Sequence, residues 1–279
     1  DATIVGAAQY PVYQKDPTIS KNMIEVAEMF TRQIGFNPDY EPFNNKLVRQ
    51  AINHAIDKDL IIEKLLKGKA VSPVSFLPTT SSGFDKTRKP YAYDPEKAKA
   101  LMKKAGYEKG FTFECVGTAN KSWGVGVVEA TIPYLKKIGI QVKIQQMEGA
   151  AMAEKIKSGN IQAYIWSLGS GPDPLDALKR WKSDNPRTGG NYVAYNNPEF
   201  DKLLEDAANE RDEAKKTELL KKADGIFFED APIWFFNYNK AVMAQHPWVH
   251  GLKPVAIEMM YQDMTDVWVD DKSPRANTK

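Results

Sequence analysis

Apolar residues recur at helical spacing between residues 44 and 68, and this pattern predicts two consecutive helices. One face of the first helix carries Leu47, Val48, Ala51, Ile52, Ala55 and Ile56. Two adjacent asparagines precede that helix as N-cap, Asp57 or Asp59 caps the second helix, and Gly68 ends it. An apolar stripe of this kind is expected to pack on another layer of structure.

The next helix start is sharper, because Asp94 provides an N-cap and Pro95 occupies the first turn, with Gly106 as its end. Beyond it, short strands alternate with single helices. The predicted strands are 112–117, 140–146 and 161–167, followed by a strand pair at 233–237 and 241–244. The predicted helices are one that ends at 137–139, then 150–158, 198–208 and 213–228. This alternation favours an α/β layer around a central sheet.

The composition is that of a globular protein. Hydrophobic residues make up 42% of the 279 residues, and the sequence has no long apolar run and no low-complexity tract. The formal net charge is +2, with basic and acidic side chains interleaved along the helices. We therefore expect neither membrane insertion nor a nucleic-acid partner. The single cysteine, Cys115, lies in an apolar strand and has no second cysteine for an internal disulfide.

Motifs that support catalysis are missing from the sequence. It has no GxSxG elbow, no GxxxxGK phosphate loop and no GxGxxG dinucleotide loop. His246 and His250 have the i, i+4 spacing of helical metal ligands, but Pro247 disfavours a helix there. We therefore predict a binding protein without a cofactor or a metal, and not an enzyme. A hydrolase that uses two carboxylates across a cleft remains the alternative from another class.

Two long stretches carry a family resemblance. Residues 163–207 read AYIWSLGSGPDPLDALKRWKSDNPRTGGNYVAYNNPEFDKLLEDA, an apolar strand, a Gly/Pro loop and an Asn-Pro helix start. Residues 42–71, PFNNKLVRQAINHAIDKDLIIEKLLKGKAV, and 93–110, YDPEKAKALMKKAGYEKG, agree with it. Together they resemble the extracellular solute-binding proteins of peptide/nickel-type ABC importers, from about residue 1 to about residue 269.

The resemblance implies a fold and a division of the chain. The implied fold is α/β, a lobe of the type II periplasmic binding protein kind, with a mixed central sheet flanked by helices. Members of the family are longer, so the chain is expected to be a fragment that lacks most of lobe one. The implied division is the end of lobe one and the crossover at 1–29, lobe two at 30–244, and a segment returning to lobe one at 245–279.

The same resemblance implies a function. The protein would be a monomeric, periplasmic or cell-surface component of an ABC importer, and it would capture a peptide or related small solute between two lobes for delivery to permease subunits. A non-peptide solute, such as an opine-like conjugate or an oligosaccharide, is the alternative within the family. In peptide-binding members the loop after strand 161–167 carries an acid for the peptide's amino terminus. Ser170 takes that position here, which leaves the anchor of such an amine open.

The loop around residue 120 is the other predicted wall. Lys121 and Trp123 match a basic residue and an aromatic residue that dipeptide-binding relatives present to the ligand's far end. Asp173 is expected to shape its own turn, and Tyr195 and Trp181 are expected to pack in the core. The predicted ligand-binding set is Lys121, Trp123, Trp166, Ser167, Leu168, Gly169, Ser170, Asp173, Asn191 and Tyr192.

Overall fold

A computed structural model describes residues 1–120, 123–257 and 262–274 of the chain. Its strands are β1 (Ala2–Ile4), β2 (Met23–Phe36), β3 (Ala70–Val71), β4 (Phe111–Gly117), β5 (Ile140–Gln146), β6 (Ala163–Gly169), β7 (Ile233–Gln245), β8 (Val249–His250) and β9 (Trp268–Val269). Its α-helices are α1 (Tyr10–Lys15), α2 (Lys46–Ala55), α3 (Lys58–Leu66), α4 (Pro95–Lys104), α5 (Val125–Lys136), α6 (Gly149–Ser158), α7 (Pro174–Lys179), α8 (Pro198–Asn209) and α9 (Glu213–Asp230).

The main sheet is mixed, as predicted. Its strand order is β1-β7-β2-β6-β4-β5, with β3 added beside β7. Strand β4 pairs in parallel with β5 and β6, whereas β2 pairs antiparallel with β6 and β7. The parallel pairs are joined through α5 and α6, and the crossover helices cover the sheet.

Local capping explains where the helices begin. Asn45 accepts a hydrogen bond from the Leu47 amide at the start of α2, and Asp57, not Asp59, caps α3. Asp94 accepts from the amide of Lys97 at the start of α4. Each of these side chains satisfies a backbone donor that the first helical turn leaves without a partner. The predicted helix starts are thereby confirmed.

Helices lie on both faces of the sheet because alternate residues of its strands point to opposite sides. Ile34 and Ile165, paired across β2 and β6, belong to a core with α2 to α5. Tyr164 and Phe235 belong to a second core with α6 to α9. The second core also holds Trp181, which is fully buried as predicted. The central strands are therefore covered on both sides.

The predicted strand pair at 233–237 and 241–244 is wrong, because the chain continues through both as the single strand β7. The polar residues between them suggest a turn in the sequence. In the structure they stay in the sheet: Tyr238 lies opposite Thr31 of β2, and Asn239 lies opposite Ala70 of β3. Partner strands on both sides hold this segment extended.

Strand β2 was not predicted from the sequence, since charged residues interrupt its apolar pattern. It pairs with β7 over three stretches, with register shifts between Ala27 and Thr31 and between Arg32 and Gln33. The strand runs through the predicted boundary at 29/30, so the division into 1–29, 30–244 and 245–279 stays a prediction. Beyond β7, β8 and β9 form a separate antiparallel pair, in which Trp268 is 57% exposed.

Candidate functional site

An open pocket of about 470 Å³ lies where the middle of β2 meets the end of β6. It is lined by Ile4, Glu28, Phe30, Arg32, Lys69, Trp123, Trp166, Ser167, Ala241 and Val242. Three of the predicted ligand-binding residues, Trp123, Trp166 and Ser167, line it together. Another pocket of about 390 Å³ is formed by residues 1–3 and 244–247 with their neighbours, and it contains none of the predicted residues.

Two tryptophans form the aromatic wall of the pocket. The Trp123 and Trp166 rings lie with their centroids 6.0 Å apart and their planes at 64°, an edge-to-face arrangement, and both side chains are half-buried. Trp166 comes from β6, whereas Trp123 comes from the turn before α5. The tight turn needs glycine at position 124, since a Cβ there would collide with the carbonyl oxygens of Thr118 and Asn120.

The floor of the pocket carries an ion pair that the sequence did not indicate. Arg32 Nη2 and Glu28 Oε2 are 2.9 Å apart, and the Asn239 side-chain amide donates to the other Glu28 oxygen at 2.8 Å. Arg32 lies directly opposite Ser167 in the pairing of β2 with β6. In the sequence, the polar run Thr31-Arg32-Gln33 stands directly before apolar residues, and this run is the signal that could have indicated the site. In the structure all three polar residues are buried.

A second cation, Lys69, reaches the pocket from the turn between α3 and β3. Its carbonyl oxygen accepts from the backbone amide of Lys240 at 3.1 Å, which fixes the turn against β7. Burial lowers the pKa of the Lys69 ammonium, while the nearby Glu28 raises it and Arg32 lowers it. The described residues provide no hydrogen-bond partner within contact distance for this ammonium, so the pocket holds two cations and one carboxylate.

Ser170, which the resemblance places at the position of the family's acid, is not among the residues that line this pocket. Its hydroxyl donates to the Met29 carbonyl at 3.2 Å, and its backbone amide donates to the same oxygen at 2.8 Å. The side chain is buried. The loop after β6 is therefore tied back onto β2, and Ser170 serves to hold it there.

Other predicted residues lie apart from the pocket. Leu168 is buried in the core shared with α6 to α9, and Tyr192 packs half-buried against the same core. The Asn191 amide is committed to its own loop, where it donates to the carbonyls of Lys182 and Tyr195 and accepts from the Tyr195 amide. The resemblance placed these residues near the ligand loop, and a role for them in ligand binding stays a prediction.

The remaining predicted residues have local roles or fall outside the description. Asp173 accepts from the Leu175 amide at 2.8 Å as the N-cap of α7, the local bond expected for it. Gly169 packs against the Phe30 ring, where an added Cβ would come within 3.2 Å. Lys121 lies outside the described residues.

The described residues offer little for catalysis or metal binding. No group of three or more His, Cys, Asp or Glu side chains among them could hold a metal ion. Glu28 is the single carboxylate among the described residues that line the pocket, and both its oxygens are engaged. None of the helices described in 1–120, 123–257 and 262–274 has the length and apolarity needed to cross a membrane.

Comparison with known proteins shows which chains this one is similar to. The chain is 31% identical over 258 residues to the glutathione-binding protein GsiB of Pectobacterium atrosepticum, a match that covers 86% of this chain and 49% of that protein. The structure of HbpA2 from Haemophilus parasuis superposes with a TM-score of 0.85 at 26% identity, over 95% of this chain and 52% of that one. The periplasmic binding protein DppA of Helicobacter pylori, solved with the peptide STSA, gives a TM-score of 0.80 at 27% identity, over 96% and 52%.

These matches also confirm the expectation about length, since the chain spans about half of each relative. The model of the bacterial extracellular solute-binding proteins, family 5 Middle, matches residues 1–189. That range contains β2, β6, both tryptophans and all three charged residues of the pocket. The chain therefore belongs to family 5 of the bacterial extracellular solute-binding proteins.

Proposed function

We propose that this chain forms one wall of the cleft of a solute-binding protein that captures a peptide or a peptide-like small molecule. The captured solute is handed to the permease subunits of an ABC importer, outside the cytoplasmic membrane or in the periplasm. The protein works as a monomer and performs no chemistry on the solute. Two relatives support this class of solute. One is named a glutathione-binding protein, and the structure of the other contains a bound peptide.

The observation that carries the proposal is the open pocket between the tryptophan wall and the charged floor. Aromatic faces and a few oriented polar groups are what a solute site requires. In an open pocket of about 470 Å³ a solute would keep one side exposed to water, so a second wall is needed to enclose it. The proposed second wall is the part of this protein that corresponds to the half of the relatives that the chain does not span.

Titration calorimetry on the full-length gene product tests the proposal. The solutes are glutathione, the peptide STSA, an opine and an oligosaccharide, each titrated separately. We expect saturable binding of at least one of the first two. Binding confined to the opine or the oligosaccharide would replace the peptide class with a non-peptide solute, and binding of none of the four would contradict the proposal.

A comparison of two protein lengths tests the two-wall arrangement. Residues 1–279 alone should bind the same solute at least about tenfold more weakly than the full-length gene product, because half of the contacts and the exclusion of water are lost. Equal affinity of the two forms would show that one wall suffices.

A further inference from the structure

The Arg32 guanidinium has donors that its surroundings leave unused. The side chain is 10% exposed, yet Nε and Nη1 have no hydrogen-bond partner among the described residues. Nη2 alone is held, by Glu28. A buried charged donor without an acceptor is costly, and native structures seldom keep one without a reason. Because a single bond holds the guanidinium, the group can turn toward an acceptor that enters the pocket.

The residue opposite Arg32 in β7 is equally unsatisfied. Asn237 is fully buried, and neither its Nδ2 nor its Oδ1 has a partner among the described residues. Residues directly opposite each other in an antiparallel pair point to the same face of the sheet. Ser167, Arg32 and Asn237 therefore form a polar row across β6, β2 and β7 on that face.

Charge in the pocket is unbalanced. The charged side chains among the described lining residues are Glu28, Arg32 and Lys69, and Glu28 is already paired with Arg32. Lys69 is left as a half-buried cation without an ion-pair partner in the described part of the chain. A solute that brings one negative charge would restore the balance and would gain a charge-assisted contact.

We propose that the pocket binds the carboxylate of its solute, with Lys69 as the direct contact and Arg32 supplying the unused donors beside it. The inference rests on the proposed function and narrows the solute to molecules with a free carboxylate near an apolar or planar group that packs on Trp123 and Trp166. The free amino group of a peptide finds no unpaired carboxylate among the described pocket residues.

Matched ligands on the full-length gene product test this inference by calorimetry. The pairs are STSA with its C-terminal amide, and glutathione with its diethyl ester, so that the second ligand of each pair has no carboxylate. We expect each free acid to bind at least about tenfold more tightly than its partner without a carboxylate. In Lys69→Gln this ratio should fall toward one. In the control Lys67→Gln, which changes an exposed lysine two residues away, the ratio should stay as in the wild type.

A second variant, Arg32→Gln, should also reduce the ratio, and thermal unfolding checks that it is folded. Equal binding of the forms with and without a carboxylate by the wild type would overturn this inference and leave the proposed function standing. A ratio that persists in Lys69→Gln and in folded Arg32→Gln would place the carboxylate site elsewhere in the protein and would also overturn it. Binding of neither pair would contradict the proposed function and the inference together.

Discussion

Trp123 and Trp166 meet edge to face, with 6.0 Å between their ring centroids, although 42 positions separate them in the sequence. One comes from the turn before α5 and the other from β6, so parallel pairing of β4 with β6 brings them together. Neither ring is fully buried. A half-buried aromatic pair at an open pocket is available to a planar or apolar part of a solute.

Replacing either tryptophan should weaken solute binding. Trp166→Ala removes ring contact from the wall, and we expect a loss of roughly fivefold or more in affinity, since buried aromatic anchors commonly contribute above about 1 kcal/mol. Trp166→Phe should retain most of the affinity. Titration calorimetry with the bound solute measures both, and Tyr93→Ala, on an exposed aromatic outside the pocket, is the control. Unchanged affinity in Trp166→Ala would show that the tryptophan wall is not part of the solute site.

Ser170 is expected to matter little to the solute. Its hydroxyl is engaged with the Met29 carbonyl, so Ser170→Ala should change solute affinity by less than about threefold while it lowers the free energy of unfolding by about 1 kcal/mol. For the same reason N-acetylation of a bound peptide should have a small effect. If acetylation costs more than about tenfold, an acid elsewhere in the protein anchors the amine. Calorimetry with the free and acetylated peptide decides between them.

The buried ion pair of Arg88 and Asp224 should be essential for stability. Arg88 Nη1 and Asp224 Oδ2 are 2.7 Å apart, and the Asp224 side chain is fully buried. Arg88→Met leaves that carboxylate without its cation and should cost about 3 to 5 kcal/mol in the free energy of unfolding. Urea unfolding measures the loss, and Arg211→Met, at an exposed position, is the control.

The pH dependence of the Arg88→Met effect has a definite sign. Burial raises the pKa of Asp224, and Arg88 lowers it in opposition. Without Arg88 the pKa rises further, so the variant takes up a proton at Asp224 in the folded state and avoids the buried charge at low pH. The destabilisation should therefore be smaller near pH ~5 than near pH ~8. A loss that grows as the pH falls would contradict this account.

The buried ammonium of Lys58 should lower the free energy of unfolding at neutral pH. Its side chain is 2% exposed, its ammonium has no hydrogen-bond partner among the described residues, and burial lowers its pKa to about 8. The pKa of Lys58 is lower in the folded state than in the unfolded state. The loss in the free energy of unfolding is therefore fully present below about pH 8, and it fades as the pH rises toward 10.5. The shift corresponds to about 3 kcal/mol.

Lys58→Met should accordingly stabilise the protein near pH ~7 by an amount of this order, and the gain should shrink by pH ~10. Unfolding in urea at several pH values measures it. Lys97→Met changes an exposed lysine at the start of α4 and should leave the free energy of unfolding nearly unchanged. A gain in Lys58→Met that does not depend on pH would indicate better apolar packing as its cause.

Helix starts and strand positions could be predicted because their causes are local. An asparagine or aspartate at the N-cap, as at Asn45 and Asp94, satisfies amides two or three residues away, and these signals are complete within a few positions of sequence. Strand β5 was predicted with its observed bounds because the alternation of apolar and polar residues is also a local signal. Strand β6 begins two residues later than predicted, at Ala163, because pairing with β2 sets its ends.

The pocket could be predicted only in part. The resemblance placed Trp123, Trp166 and Ser167 near a ligand, and the structure brings these three together. It could not show that Ser170 is turned toward the Met29 carbonyl, since that contact joins positions 141 residues apart. Arg32 and Lys69 were missed, although Lys69 lies within the stretch 42–71, because only pairing between distant segments brings them to the pocket.

The sequence by itself determined the alternation of helices and strands, the helix ends, and membership in the family, because periodicity, capping and motif residues act over short distances. Tertiary structure alone decided that β7 continues unbroken between β2 and β3, and that Arg32, Asn237 and Ser167 share one face of the sheet. Strand register sets which side chains become neighbours, and register depends on pairing between distant segments whose energies no local pattern contains.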